Sequence, residues 1–371
     1  LHTAYRRQRQ MCIRDRFIIG LLLCSYTWAD GSRYASKSLL SEGKWVKIRV
    51  DKTVIYKLSY ADLKNMGFSA PSKVSVHGYG GWPLDEDFSK EYIDDVPSTP
   101  VWRGSDYLLF YGKGPVKWEY DSSSQTFVHT NNPYSLYGYY FVTDATPTND
   151  MTSVAQASGA TNRITTYDDY LVHEQELVSL AKSGRELYGE DFSGATPRTL
   201  STFSSIPGIT NEDAKVTMSF VSKVTSGTGV ASLSINQSNV LDVSIRSNRE
   251  EYVKALEGVS TAVWKGEKSE KNSVVVSYNS ASHNNVRLNY VRLHFKRTLQ
   301  PYGAYTFFRS IASIGNVSRF VVQGANANTL VFDVTDAQRV RLMETELNGS
   351  ELTFSIPVSY THLRAHETEA D

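Results

Sequence analysis

The sequence predicts a mainly β protein with two β-rich domains of the antiparallel sandwich or jelly-roll type and a few short helices. Three observations support this fold class. The 371 residues include 23 tyrosines and 15 phenylalanines, which are residue types enriched in strands. Apolar and polar residues alternate in many short segments separated by turn residues. Long segments with the period of a helix are scarce.

The two ends of the chain are expected to be translated sequencing adapters. The codons for Met11 to Asp15 and those for Val358 to His362 can be written as complementary DNA strands, which a tag shared by both ends of a library fragment explains. Residues 1–16 and 358–371 are therefore predicted not to belong to the fold. We expect the natural protein to extend beyond both ends of the remaining segment.

Residues 17–29 indicate the remnant of a secretory signal peptide. Their apolar run is too short to span a bilayer, and Thr27 and Ala29 supply the small residues of a cleavage site. A buried core strand and a lipoprotein signal at Cys24 are the alternatives. The protein is thus expected to be exported.

An N-terminal β domain is predicted for residues 44–150, after a polar leader at 30–43. Valine and isoleucine alternate with lysine and arginine over 46–50, as a half-buried strand requires. A turn at 51–53 predicts that 54–58 returns as the hairpin partner.

A short helix is predicted directly after this hairpin. Ser59 stands three residues before Asp62, which is the spacing of an N-cap with an acidic third position, and Gly67 ends the helix. Strand and turn patterns alternate from there to the end of the domain.

Residues 151–196 are predicted to form a linker and a helix that ends near Gly184. The residues that support the helix are Leu171, Glu174, Leu177 and Val178. A second, truncated β domain is predicted for 197–357, with strands that repeat every ten residues or so. In its segment VRLNYVRLHF the alternation changes phase between Tyr290 and Val291, which predicts a β-bulge.

Composition excludes several classes of function. The 39 basic and 39 acidic residues balance, so nothing indicates binding to nucleic acid. Both cysteines, Cys12 and Cys24, lie before residue 30. The rest of the chain therefore has no disulfide, thiolate metal site or cysteine nucleophile.

The sequence predicts no catalytic, cofactor-binding or metal-binding residue. No two of the histidines between the two tags have the spacing of metal ligands, and no known catalytic or phosphate-binding motif occurs. The five histidines before the second tag are His77, His129, His173, His283 and His294. His77 and His294 are interpreted as structural residues.

Three further features leave a functional and a structural interpretation open. An acidic patch is either a calcium loop or, by preference, a solvated surface. The cluster SGRELYGEDF is either an active site or, by preference, a salt-bridged helix end against the second domain. The aromatic residues of NPYSLYGYYF either stack on sugars or pack on sheet faces. The residues concerned are Asp85, Glu86, Asp87, Asp94 and Asp95, then Arg185, Glu186 and Glu190, then Tyr139 and Tyr140.

Seven segments resemble, in this order, the N-terminal, pre-catalytic region of the type IX secretion sortases of Bacteroidetes. These sortases belong to the gingipain-type cysteine peptidases. The segments are KWVKIRVDKTVIYKLSYADLKNMGF, KVSVHGYGGWPLDE, DYLLFYGKGP, NPYSLYGYYFVTD, SGRELYGEDF, RLNYVRLHFKRTL and VFDVTDAQRV.

The resemblance implies that this chain is a non-catalytic scaffold. In the family, a peptidase domain with a paired histidine and cysteine follows, cleaves the C-terminal sorting signal of exported cargo and attaches the cargo to lipopolysaccharide. No residue here matches that pair. The implied partners are the missing peptidase domain, other secretion components at the outer membrane and cargo C-terminal domains, and the implied location is the cell surface or outer membrane.

Two other functions stay open. The region could be the propeptide-like part of a secreted gingipain-like protease, or the chain could be a glycan-binding surface β protein. The sequence downstream of this segment distinguishes them, because only the first alternative requires a peptidase followed by a cargo sorting domain.

Overall fold

A computed structural model describes residues 34–87, 89, 93–180, 186–247, 255–283, 285–358 and 365–369. The strands, in chain order, are β1 (Val46–Val50), β2 (Val54–Ser59), β3 (Ser75–His77), β4 (Ser98–Thr99), β5 (Val101–Arg103), β6 (Tyr107–Gly112), β7 (Val116–Asp121), β8 (Thr126–Asn131), β9 (Gly138–Thr143), β10 (Ser153–Val154), β11 (Asn162–Ile164), β12 (Thr166–Glu174), β13 (Arg198–Thr199), β14 (Ala214–Ser222), β15 (Thr228–Ile235), β16 (Ser238–Arg246), β17 (Leu256–Trp264), β18 (Val274–Tyr278), β19 (Val286–Thr298), β20 (Tyr305–Phe308), β21 (Val317–Gln323), β22 (Thr329–Asp333), β23 (Arg341–Met343), β24 (Glu346–Asn348), β25 (Glu351–Pro357) and β26 (Ala365–Glu369).

The structure confirms the mainly β class. Strands hold 48% of the described residues and helices 6%. One α-helix, α1 (Tyr60–Asn65), occurs in the described ranges, together with 3-10 turns at Leu39–Ser41, Pro71–Lys73, Ser201–Phe203 and Ile311–Ser313. None of these helices has the length and apolar character needed to cross a bilayer.

The chain divides into two compact units, Leu1–Glu42 with Asp85–Pro97, and Gly43–Leu84 with Ser98–Asp371. In the described part of the first unit, Asp95 accepts hydrogen bonds from the Leu39 amide and the Ser38 hydroxyl, each at 2.6 Å. All the strands named above lie in the second unit. The domain boundaries taken from the sequence stay predictions.

The N-terminal strands form two small sheets and one ribbon. The sheets have the orders β1-β9-β3-β4 and β2-β6-β5, and among the described strands β7 pairs only with β8. The first two sheets enclose a core that includes Val76, Phe110 and Val142, each fully buried. The third element, the β7–β8 hairpin, therefore lies outside that core and needs another surface to cover its side chains.

The predicted hairpin of 46–50 with 54–58 is wrong. β1 pairs with β9, and β2 pairs with β6. The turn between them is a corner that carries the chain from one sheet to the other. Thr53 fixes this corner because its hydroxyl accepts a hydrogen bond from the Gly114 amide, 3.0 Å away. Alternation shows that two segments are strands, but it does not show which strands they pair with.

The predicted helix after Ser59 is confirmed as α1. The Asp62 amide donates to Ser59 Oγ at 3.0 Å, which is the N-cap bond. Gly67 has a φ of +88°, a left-handed conformation that glycine adopts without strain and that ends the helix. Leu63 anchors the helix in the N-terminal core.

Two four-stranded sheets form a sandwich in the middle of the chain. Their orders are β12-β19-β14-β17 and β13-β18-β15-β16, and the core between them includes Met218, Phe220, Leu233, Val276 and Leu288. The predicted bulge is confirmed. Ser219 lies opposite Tyr290, but Phe220 lies opposite Leu288, so Asn289 is the extra residue. The bulge keeps apolar residues on the core face on both sides of the phase change.

The predicted helix around Leu171 is wrong, because Thr166–Glu174 is strand β12. It pairs along its whole length with β19. Spacings of three and four residues fit a helix, but as a strand the same stretch places Tyr167 and His173 on one face and Asp168 on the other, and all three are buried. Pairing with the long edge of β19 favours the strand over the helix. The local sequence alone does not reveal that this edge is present.

The last strands build two further sheets. One has the order β11-β21-β25-β24 and the other the order β10-β23-β22-β26-β20. Val358, assigned from the sequence to the second adapter, is buried with Phe354 and Ile356, and its amide donates to the Asn316 carbonyl at 3.0 Å. The predicted adapter at 1–16 and the predicted signal peptide at 17–29 lie outside the described residues.

Candidate functional site

The described part of the SGRELYGEDF segment is fixed by backbone pairing. Tyr188 exchanges backbone hydrogen bonds with Val178, and the Gly189 amide donates to the Leu288 carbonyl at 2.8 Å. Arg287 donates to the Gly189 carbonyl at 2.9 Å. Arg185, which the sequence grouped with this cluster, lies outside the described residues.

A chain of hydrogen bonds starts from Glu190 in this segment. Glu190 Oε1 lies 2.7 Å from His173 Nε2, and His173 Nδ1 lies 2.9 Å from Thr202 Oγ1. The three residues come from a loop, from β12 and from the 3-10 turn at Ser201–Phe203. Because a carboxylate only accepts, Nε2 donates to Glu190, and Nδ1 is hydrogen-bonded to the Thr202 hydroxyl.

The electrostatics of Glu190 keep it ionised. Burial by itself would raise its pKa, but the hydrogen bond from His173 and nearby positive charge lower it below the ordinary value. Hydroxyl, imidazole and carboxylate in this order also occur around hydroxyl nucleophiles. Thr202, however, stands on an exposed turn, where water is not excluded from the hydroxyl. The arrangement therefore links three segments of the chain by hydrogen bonds.

A larger polar cluster lies on the outer face of the β12–β19 strands, under the β7–β8 hairpin. We call it the hairpin interface. Its residues are Trp118, Phe127 and His129 of the hairpin, Asp168, Tyr170 and Glu174 of β12, Tyr290, Arg292, His294 and Lys296 of β19, and Arg309. The sandwich core is on the opposite face of the sheet, so this face could carry polar residues.

Aromatic rings and one guanidinium form the centre of the hairpin interface. The rings of Trp118 and Tyr170 are stacked with centroids 3.7 Å apart. The Arg309 guanidinium lies 4.3 Å from the centroid of Phe127, 4.7 Å from that of Tyr170 and 4.5 Å from that of Phe307. It also donates to the Tyr170 hydroxyl at 2.7 Å. Arg309 is 4% exposed, and in such a desolvated place cation–π contacts are strongest.

His129 lies between a carboxylate and a guanidinium. Its Nε2 lies 3.0 Å from Glu174 Oε2, and its Nδ1 lies 3.3 Å from an Arg292 guanidinium nitrogen. A guanidinium only donates, so Nδ1 accepts and Nε2 carries the hydrogen given to Glu174. Asn131 donates to the same Glu174 oxygen at 2.8 Å. The imidazole is thus occupied on both nitrogens and links the hairpin to two strands.

Asp168 is the buried acid at the other end of the hairpin interface. Its carboxylate accepts from Lys296 Nζ at 2.9 Å and from the Ile311 amide at 2.7 Å, and His294 Nε2 lies 3.5 Å away. Burial would raise the pKa of Asp168, yet the nearby His294 imidazole and the charge of Lys296 lower it below the ordinary value.

The tyrosines proposed for sugar stacking have different environments. Tyr140 is 1% exposed, and its hydroxyl accepts a hydrogen bond from the Lys113 amide at 2.9 Å. Tyr139 is half-buried, with Lys47 Nζ 3.9 Å from its ring centroid. Tyr134 is 79% exposed. A ligand could therefore reach Tyr134 and Tyr139, whereas Tyr140 belongs to the core.

Across the described ranges, no group of three or more histidine, cysteine, aspartate or glutamate side chains is placed to bind a metal. The acidic residues 94 and 95 instead accept hydrogen bonds from the segment that begins at Ala35. Several single residues of the hairpin interface could be picked out from the sequence, but not their grouping. The histidines and the acids of this interface are far apart in the chain, and only the strand register brings them together.

No protein-family model matches the chain, and no curated protein does. Among solved structures, the chain is similar to PorU from Porphyromonas gingivalis, whose crystal structure is described as that of dimeric latent PorU. The sequence identity is 29% and the TM-score is 0.83. The similarity covers 91% of this chain but only 33% of the PorU chain. The resemblance to a PorU-like region is thereby confirmed.

Proposed function

We propose that this PorU-like region is the non-catalytic N-terminal scaffold of a type IX secretion sortase. The observation that carries the proposal is the similarity to PorU over 91% of this chain and one third of PorU. The parent protein would be a cysteine peptidase and transpeptidase. Its peptidase domain would remove the C-terminal sorting signal of exported cargo and attach the cargo to surface lipopolysaccharide.

The chemistry of the described residues agrees with a scaffold. His129 of the hairpin interface and His173 of the Glu190 chain have hydrogen-bond partners that hold them in place. The hairpin interface also attaches the β7–β8 hairpin to the sandwich through stacked rings and buried charges. A rigid body of this kind suits the task of holding a catalytic domain in a fixed orientation.

Location and partners follow from the same proposal. The protein would be exported and would stand at the cell surface or outer membrane, in contact with its own peptidase domain, other secretion components and the C-terminal domains of cargo. The region itself would need no cofactor.

A long sequencing read through the locus, past the codon for Pro357, is the first test. We expect an open frame that continues into a peptidase domain with a paired histidine and cysteine, and without a cargo sorting domain after it. A sorting domain at the end would support a secreted protease instead. A frame that stops soon after this codon would overturn the scaffold function.

The second test uses protein. The region and the downstream peptidase part are produced separately and mixed, and cleavage of a peptide carrying a cargo sorting signal is followed. We expect no cleavage by the region alone and faster cleavage by the mixture than by the peptidase part alone. The matched control is the region with Trp118→Ala, which loosens the hairpin. Cleavage by the clean region alone would contradict a non-catalytic role.

A further inference from the structure

Strand β26 occupies a gap between two other strands. Its residues pair antiparallel with β20 on one side and with β22 on the other, so that residue 366 lies between Phe307 and Phe332. β20 and β22 therefore run parallel to each other, one strand apart. β20 pairs with no other strand in the described residues. We call the gap between these two edges the strand seat.

Both faces of the strand seat are apolar. Phe308 and Val331 are fully buried in one hydrophobic core, while Phe332 is fully buried in a second core that also packs Phe307 and Leu330. A strand placed between β20 and β22 thus has a core on each side. Strands buried on both faces are nearly continuous apolar runs.

The segment in the seat does not have this character. Residues 365–369 read alanine, histidine, glutamate, threonine and glutamate. Charged residues are poor occupants of a strand between two cores. The sequence predicts that the same segment is translated adapter, and such a segment would not have been selected to fill the seat. Backbone pairing alone accounts for its place there, since strand addition needs no particular side chains.

We propose that β20 and β22 form a strand-acceptor site for an extended, apolar segment of the same polypeptide, located just after β25 in the natural protein. This proposal rests on the scaffold function, because the segment would belong to the part of the sortase that continues toward the peptidase domain. The strand seat is then the place where the scaffold holds the start of that part.

The position of β25 favours an occupant from the same chain. Val358 directly follows β25 and lies in the same core as Phe308 and Val331. A chain leaving β25 is therefore already beside the seat, and a short connection reaches it. A partner segment from elsewhere would pay the cost of association, which a tethered segment avoids.

The test is made in the full chain by changing the residues in the seat. The variant with His366→Val and Glu367→Val offers one valine to each core, because neighbouring residues of a strand point to opposite faces. We expect the Tm to rise by about 2–4 °C or more. The matched control, Glu346→Val with Asn348→Val on the exposed strand β24, should show no such rise.

A second variant tests the pairing itself. His366→Pro removes a backbone donor in the middle of the seat, and we expect faster hydrogen exchange at the amides of β20 and β22 than in the unchanged protein. Unchanged Tm in the valine variant and unchanged exchange in the proline variant would together overturn the acceptor site. A valine variant that gains stability only as a dimer, measured by sedimentation, would overturn the choice of a segment from the same chain.

The natural sequence gives an independent check. The long read past Pro357 should encode a run of about five apolar or β-branched residues within a short loop length, roughly 2–6 residues, of Val358. A polar continuation would contradict the proposal. If the run is present but no peptidase domain follows, the scaffold function fails while the strand seat stands. If the peptidase is present but the apolar run is absent, the strand seat proposal fails while the scaffold function stands.

Discussion

The indole of Trp118 stacks on the ring of Tyr170, with centroids 3.7 Å apart and planes inclined by 27°. Trp118 belongs to the β7–β8 hairpin and Tyr170 to the edge strand of the sandwich. The contact therefore joins an element from the N-terminal part of the chain to the middle of the chain. Its consequence is that the hairpin, which has no core of its own, is stabilised by the polar face of another sheet.

Replacing Trp118 tests how much this contact contributes. Trp118→Ala removes the stack and part of the hairpin's covered surface, and we expect the free energy of unfolding to fall by about 2–4 kcal/mol. Trp118→Phe keeps a ring and should cost less. In a double-mutant cycle with Tyr170→Ala, measured by urea unfolding, we expect a coupling of about 0.5–1.5 kcal/mol. Additive losses would show that the two rings do not stabilise each other.

Arg309 is expected to tolerate lysine poorly. The guanidinium lies against three aromatic rings and donates to the Tyr170 hydroxyl, whereas a lysine ammonium has neither the planar shape nor the fork of donors. We expect Arg309→Lys to lower the free energy of unfolding by about 1–3 kcal/mol. Arg319→Lys on the exposed side of β21 is the control and should change it by less than about 0.5 kcal/mol. Equal effects at the two positions would contradict the role assigned to the rings.

Several elements of this fold could be predicted from the sequence because their signals are local. The cap at Ser59, the end of α1 at Gly67 and the bulge beside Tyr290 each depend on residues within a few positions of one another. The cap depends on a hydrogen bond, the helix end on a positive φ, and the bulge on a change in which residues alternate toward the core. All three can be read without knowing any tertiary contact.

Strand partners and the hairpin interface could not be predicted for the opposite reason. β1 and β2 alternate as the arms of a hairpin would, yet β2 pairs with a strand about fifty positions away and β1 with one about ninety positions away. His129 meets Glu174 and Arg292 only after three strands have been placed in register. A single sequence does not show which of many distant strands will pair with one another. These contacts can therefore be seen only in the structure.

Tyr139 and Tyr140 are expected to respond differently to mutation although they are neighbours. Tyr140→Phe leaves the Lys113 amide without its hydrogen-bond acceptor, and we expect a loss of about 1–3 kcal/mol in the free energy of unfolding. Tyr139→Phe removes a hydroxyl from a half-buried ring and should cost less than about 0.5 kcal/mol. Thermal unfolding of the two variants checks this. A test of glycan binding should therefore use Tyr139 and Tyr134, because loss of binding in a Tyr140 variant would report unfolding.

Asp168 should make stability depend on pH in the acid range. Its pKa in the folded protein is lowered from the ordinary value of 3.8 by the nearby His294 imidazole, the charge of Lys296 and the Ile311 amide, which together exceed the effect of burial. The unfolded chain therefore takes up a proton at this residue before the folded protein does as pH falls. The stabilisation from the ionised carboxylate is fully present above the ordinary value and is lost as pH falls below it. At pH 7 we expect Asp168→Asn to lower the free energy of unfolding by about 1.5–3 kcal/mol.

The pH dependence of that loss separates an ionised pair from a simple packing effect. Urea unfolding of the two proteins, measured from pH 7 down to about pH 2, should show the difference between them shrinking once the pH passes below the ordinary value of a carboxyl group. Asp242→Asn on the exposed face of β16 is the matched control, with an expected change of less than about 0.5 kcal/mol at every pH. A difference for Asp168→Asn that stays constant across the range would show that the lost stability comes from the shape of the side chain. In that case the charge of Asp168 would not be what anchors β12 to Lys296 and the turn at Ile311.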